Sequence, residues 1–218
     1  MNLKRIFIWG GFVVIIGLVI WGLIAAQNKA EREEAKVYLP GEVLSTDHFK
    51  GNENAKVTVV EYGDFQCPAC AAYLPLVNKV FADVGSSTMR IVFRHFPLAQ
   101  HVNGMPASKA AEASGKQGKF WEMHDILFEN QIEWEKSPNP RIKFVEYAKA
   151  LGLDIDKFSS DFDSKEVSEK INNDYKSGIA AKINATPTFF VNGEKIENPQ
   201  TYEQFKKIIE DTALKASI

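Results

Sequence analysis

Cys67 and Cys70 are the two cysteines of a 218-residue chain, and Pro68 and Ala69 between them put the two sulfurs one helical turn apart. Thiols that close can cycle between dithiol and disulfide, taking up two electrons or returning them. The run Val57 to Tyr62 (VTVVEY) is rich in β-branched and aromatic residues, ends at Gly63-Asp64, and reads as a buried strand. Pro68 suits the first turn of a following helix. The first sulfur then sits at a helix N-terminus, where free N–H groups and the macrodipole favour an anion. Cys67 is therefore the expected nucleophile. Cys70, one turn on, is expected to be more buried and to close the disulfide.

Other chemistries for the pair meet specific obstacles. A closed zinc site wants four ligands, so two cysteines would need two histidines. His95 and His101 bracket a Phe-Pro-Leu turn, and nothing in the sequence brings them to the motif. Covalent haem needs His after the second cysteine, where Ala71 stands. No metal and no organic cofactor is expected. A purely structural disulfide is the plainer alternative, but closing so small a loop constrains the unfolded chain little. The net charge of −2, with no clustered Lys/Arg stripe, gives no footprint for nucleic acid.

The elements that must position the pair begin with a membrane question. Residues 1–5 form a short basic tail with Lys4 and Arg5, and Ile6 to Ala26 carries no charge. As a helix, that run would cover roughly the 30 Å hydrocarbon core, so it predicts a transmembrane anchor. A cleaved signal peptide is the rival, but its apolar region should be shorter and end in a small-x-small site, and Leu23-Ile24-Ala25-Ala26 does not supply one. Flanking charges do not decide orientation. The layout of a short basic N-terminus before a long body is that of a signal anchor with the body exported. Residues 27–55 are polar, end in Gly51-Asn52-Glu53-Asn54, and read as a stalk that includes His48.

From residue 56 to 218 a single domain is expected, since 45% hydrophobic residues in this length suffice for one core. The helix after the cysteines carries Tyr73, Leu74, Val77, Val80 and Phe81, with a kink at Pro75. Met89 to Phe96 is a second strand, stopped by Pro97. Residues 104–182 are helical in pattern: Phe120, His124, Leu127 and Phe128 share one face, and Phe144, Val145, Ala148 and Leu151 another. Asp154 or Asp156 caps a short helix with Phe158 and Phe162, and Val167, Ile171, Tyr175 and Ile179 follow at four-residue spacing. Thr188 to Val191 and Glu194 to Ile196 flank Asn192-Gly193, a strong hairpin signal. A last helix turns Tyr202, Phe205, Ile208 and Ile209 inward. The order is that of an α/β thioredoxin fold with a helical insertion.

These residues resemble the DsbA-like thiol:disulfide oxidoreductases over about Ala55 to Leu214. Four separated motifs carry the resemblance in order: Tyr62-Gly63-Asp64-Phe65-Gln66-Cys67-Pro68-Ala69-Cys70, Phe93-Arg94-His95-Phe96-Pro97-Leu98, Gly118-Lys119-Phe120-Trp121-Glu122-Met123-His124, and Ala185-Thr186-Pro187-Thr188-Phe189. The resemblance implies a thioredoxin domain with an inserted helical domain. It implies that Pro187 is a cis-proline against the disulfide and that Thr186 offers backbone groups to an incoming peptide. Pro68 and Ala69 are the other candidate substrate-binding positions. Glu61 matches the acidic residue kept beneath the motif to exchange a proton with the second cysteine; on its own it reads equally as a salt-bridged or strand-end Glu. Ala69 departs from the strongest oxidants, which have His there, and a less oxidising disulfide is expected.

The expected function is that of a dithiol oxidase acting on unfolded or reduced exported proteins, reoxidised by a quinone-linked membrane partner, on the extracytoplasmic side of the cell membrane. The alternatives are a reductase or isomerase with the same site, or a redox-independent peptide-binding module or chaperone. The remaining histidines have plain readings: His124 packs in a helical face, and His101 is a surface-loop residue.

Overall fold

The computed structural model describes residues 40–216, together with residues 16, 17 and 19–22. The chain divides into two units, Met1–Tyr38 and Leu39–Ile218. In the first, the described residues are helical and expose Ile16, Val19, Ile20 and Trp21. Among the described residues no helix is long and apolar enough to cross a membrane. Most of the anchor expected over Ile6 to Ala26 lies outside them.

The second unit runs β1 (His48–Lys50), β2 (Val57–Gly63), α1 (Pro68–Val84), β3 (Met89–His95), α2 (Gly104–Gly115), α3 (Phe120–Glu129), α4 (Gln131–Trp134), α5 (Arg141–Ala150), α6 (Ile155–Phe162), α7 (Lys165–Ala180), β4 (Thr188–Val191), β5 (Glu194–Lys195) and α8 (Tyr202–Lys215). The strands form one sheet in the order β1-β3-β2-β4-β5. β2 and β3 are parallel, and the other neighbouring pairs are antiparallel. This is a thioredoxin-like α/β fold, with the helical block from α2 to α7 set between β3 and β4.

Alternation along β2 decides what each face of the sheet holds. Val57, Val59 and Glu61 point one way, and Val57 and Val59 pack with Val77 and Val80 of α1 and Phe205 and Ile209 of α8. Val60 and Tyr62 point the other way, toward Val92, Phe96 and Ile183. Every residue of β2 is buried, so Glu61 is a carboxyl in an otherwise apolar central strand. Asn192 and Gly193 both have positive φ, 47° and 86°, as the hairpin between β4 and β5 requires. Pro75 lies inside α1, and Asp154 caps α6 by accepting from Lys157 N at 2.9 Å.

Two expectations are corrected here. Residues 27–55 are not a stalk throughout, because His48–Lys50 pairs with β3 as an edge strand. Asp47 just before it is buried against Arg94 of β3, with Nη2 to Oδ2 at 2.7 Å and Nε to Oδ1 at 3.2 Å. Arg94 is 1% exposed and also donates to the Tyr62 hydroxyl. Asp47→Ala should therefore cost about 3–5 kcal/mol in denaturant unfolding, because it leaves a guanidinium buried without its counter-charge. A loss below about 1 kcal/mol would show that the segment is not integral to the domain.

In α7 the four-residue spacing fails after its first step. Four residues turn a helix about 40° past a full circle, so a strict i+4 series drifts off the buried face. Val167 and Ile171 are buried, but the next inward positions are Asp174 and Gly178, while Tyr175 and Ile179 are 38% and 52% exposed. Gly178 is required there: a Cβ would come within 2.5 Å of the Phe96 ring.

Candidate active site

Cys67 is the N-cap of α1, with an extended backbone (φ −77°, ψ 120°), and Pro68 begins the helix proper. The sulfur is nearly buried and Cys70 is 1% exposed, while Pro68 and Ala69 between them face solvent. Both thiols are free. The Thr186–Pro187 bond is cis, and Cys67 Sγ lies 3.4 Å from the Thr186 carbonyl oxygen. The two ends of the chain's chemistry, over a hundred residues apart in sequence, thus meet at one sulfur.

The electrostatics separate the two thiols. Cys67 is held down from 9.0 to about 5, chiefly because the Cys70 S–H donates to its sulfur. Burial opposes this, and the Thr186 hydroxyl and the backbone N–H groups of Cys70 and Ala69 add to the lowering. Thr186 acts in both senses, since its carbonyl accepts only from a protonated sulfur while its hydroxyl donates to a thiolate. The carbonyl contact is of ordinary length for a thiol donor, and the Thr186 hydroxyl has no hydrogen-bond partner among the described residues, which leaves it free to turn to the sulfur when Cys67 ionises. Cys70 is pushed well above 9.0 by burial first, then by its bond to Cys67 and the charge of Glu61. Glu61, on the β2 face beneath α1, is raised from 4.5 to about 8 by burial and then by the Cys67 charge. It shares a cavity of about 10 Å³ with Cys70. The expected set of Cys67, Cys70, Glu61, Pro68, Ala69, Thr186 and Pro187 thus gathers at one end of α1.

Several residues that hold this end in place escaped sequence reasoning. Gln131 Nε2 donates to the carbonyls of Phe65 (2.6 Å) and Cys67 (3.1 Å). Gln66 and Asn103 tie the same turn to the chain around Trp134 to Ser137. Asp64, fully buried, accepts from Gln66 N, Leu98 N and His101 Nδ1. His101 is accordingly an anchor of the active-site loop and not a free surface residue. His48 stacks on Phe120 at 3.9 Å and meets Glu112, which also holds His95 at 2.8 Å.

His95, Glu112 and Asp174 offer donor atoms within 4.8 Å of one another. Lys170 Nζ already sits 2.6 and 2.7 Å from the two Asp174 oxygens, so a divalent cation there would meet an ammonium. The cluster is charge-compensated by the protein itself.

A Cys-Pro-Ala-Cys pair at the head of a helix, against a cis-proline that opens an adjacent strand, defines a thioredoxin-fold protein of thiol:disulfide exchange. The family described as thioredoxin matches residues 44–211. BdbD from Bacillus subtilis is 27% identical with a TM-score of 0.69, covering 81% of this chain and 96% of that one. The alpha-DsbA1 of Wolbachia pipientis, at 24% identity and a TM-score of 0.69 over 80% of this chain and 94% of that one, shares the fold. A curated relative, "Na(+)/H(+) antiporter NhaA 3" of Salinispora tropica, is 39% identical over 72% of this chain, which spans 23% of that protein's length. The chain belongs to the thioredoxin family and is a DsbA-like thiol:disulfide oxidoreductase.

Proposed function

We propose that this oxidoreductase runs as a dithiol oxidase for exported proteins, held by an anchor over Ile6 to Ala26 with its domain on the extracytoplasmic side. The observation that carries this reading is the wide separation of the two thiols, with Cys67 at about 5 and Cys70 well above 9.0. In the oxidised enzyme a substrate thiolate attacks Cys67 Sγ, and Cys70 leaves and takes up a proton, for which Glu61 is the adjacent donor. A second substrate thiolate then attacks the substrate sulfur of the mixed disulfide, releasing product disulfide and the Cys67 thiolate. Two electrons pass to the enzyme pair, and a disulfide of a quinone-linked membrane partner takes them on.

A low pKa at Cys67 gains little for attack, because the larger thiolate fraction is offset by weaker nucleophilicity. It helps when Cys67 is the leaving group, which is the step that delivers a disulfide to substrate. Thr186 and Pro187 beside the sulfur, and the exposed Pro68 and Ala69, are the surface a substrate peptide would cover. No metal or organic cofactor enters any step. The sodium/proton antiport of the curated relative is not carried over to a chain spanning so small a share of it.

Equilibration of the pair with glutathione buffers tests the direction. Ala69 contributes no side-chain charge, so the expected potential lies between about −200 and −130 mV, below the roughly −120 mV of the strongest oxidants. A value at or below about −230 mV, near the glutaredoxin and thioredoxin range, would make the chain a reductase.

A further inference from the structure

We propose that His124 and Asp125 of α3 form the outer half of a proton path that joins Cys70 and Glu61 to solvent through one water molecule in the cavity between them. The proposal deepens the exchange chemistry above and rests on it. Each catalytic cycle puts one proton onto Cys70 and later removes it, yet Cys70 is 1% exposed and Glu61 6%. The proton must therefore cross the protein.

The cavity under the cysteines is about 10 Å³, room for a single water. Leu74, Val77, Ile91 and Phe128 wall it, and its polar lining is Glu61, Cys70, Trp121, His124 and the half-buried Asn78, whose Oδ1 accepts from Lys50. Two of these side chains carry a buried atom with no hydrogen-bond partner among the described residues: Trp121 Nε1 and His124 Nε2. An indole nitrogen only donates. His124 Nδ1 lies 2.8 Å from Asp125 Oδ1, so the neutral ring donates there and leaves Nε2 as an acceptor. One unmatched donor and one unmatched acceptor are the complement of one water.

Asp125 completes the route, since its side chain is 29% exposed. The groups facing His124 are Lys50 from β1, Glu61 from β2, His95 from β3, Cys70 from α1 and its neighbour Asp125. Burial lowers the imidazole pKa, so the ring is neutral at rest and suited to taking a proton on one nitrogen while releasing one from the other. When Cys70 S–H loses its proton to Glu61, the proton passes by way of the water to His124 Nε2, and Nδ1–H passes to the Asp125 carboxylate. When Cys70 is displaced as thiolate, the same transfers run inward and restore the starting tautomer. A purely packing role is the competing account, because the ring sits among Phe65, Phe93, Phe120 and Phe128, where Phe would serve as well. His124 acts through the water and not on a sulfur, and is a positioning residue.

The test uses the full reduced chain and an aromatic disulfide whose thiolate absorbs on release. Stopped-flow traces resolve attack by Cys67, which forms the mixed disulfide, from release of the second aromatic thiolate as Cys70 closes the bridge. His124→Phe should slow only the second phase, about 10- to 100-fold at pH 7, and approach wild type as pH rises past about 8, where Glu61 is already ionised and takes the Cys70 proton without first passing its own outward. Asp125→Asn, at a partly exposed position, should shift the same profile in the same direction by less. A wild-type second phase in His124→Phe, or one slowed equally at every pH, would overturn the path. Should His124→Phe fail to fold, an unchanged second-phase profile in Asp125→Asn overturns it. Absence of the first phase in wild type would instead refute the exchange chemistry itself.

Discussion

Cys70→Ala should leave a protein that still attacks disulfides but stalls as a mixed disulfide, and should raise the pKa of Cys67. Both effects follow from the same contact. The S–H of Cys70 is the largest cause holding Cys67 at about 5, and Ala can neither donate to the sulfur nor displace the substrate from it. In the wild type, iodoacetamide alkylation of Cys67 should reach half its plateau near pH 5, with about 99% thiolate at pH 7. In Cys70→Ala the half-point should move toward 9.0 by a unit or more. Non-reducing gels should show covalent adducts with disulfide-bonded substrate, formed as the Cys67 thiolate attacks that disulfide and releases one substrate thiolate. The Thr186 hydroxyl and the helix N–H groups remain, so the rise stops short of the ordinary thiol. An unchanged profile would mean that the helix terminus alone sets the thiolate.

Glu61→Leu should make the reduced protein more stable at pH 8 and slower in closing its disulfide. The folded-state pKa of Glu61, about 8, lies above its ordinary 4.5, mainly through burial. The folded state thus holds the carboxyl proton more tightly than the unfolded chain. The stability linked to it is fully present below pH 4.5 and is lost as pH rises through about 8. At about 1.4 kcal/mol per pK unit, the loss amounts to a few kcal/mol at pH 8. Leu, of similar volume in the face shared with Val57 and Val59, carries no such loss. Unfolding in urea should show a gain at pH 8 that vanishes at pH 4. The same variant should slow closure by Cys70 on the order of 10²-fold at pH 7. Equal stability of the two proteins at pH 8 would show that the folded protein holds the Glu61 proton no more tightly than the unfolded chain does.

Much of the site was legible because its signals are local. The strand-to-helix junction at Cys67 rests on a β-branched run, a turn and a helix-starting proline, all within fourteen residues of chain. Glu61 was legible only through the resemblance, since its residues alone left it open between a salt-bridged and a strand-end Glu, and its burial comes from the sheet neighbours Phe93 and Phe189. The edge strand at His48–Lys50 was not legible, since three residues carry no periodicity and the pairing that orders them comes from β3, over forty residues on. Gln131, Asn103 and Asp64 escaped for the same reason: the bonds by which they fix the active-site turn cross 31 to 66 residues and leave no local pattern. His124 was read correctly as packed in a helical face, but the cavity it lines exists only once α3 lies against α1 and β2.

The redox state of Cys67 and Cys70 in living cells, fixed by acid quenching and read by tagging free thiols with a mass-shifting maleimide, tests the central claim most directly. An exported oxidase should show a predominantly oxidised pair that becomes reduced when its membrane partner is removed. A predominantly reduced pair in unperturbed cells would contradict it and assign the chain to reduction or isomerisation, or to the other side of the membrane.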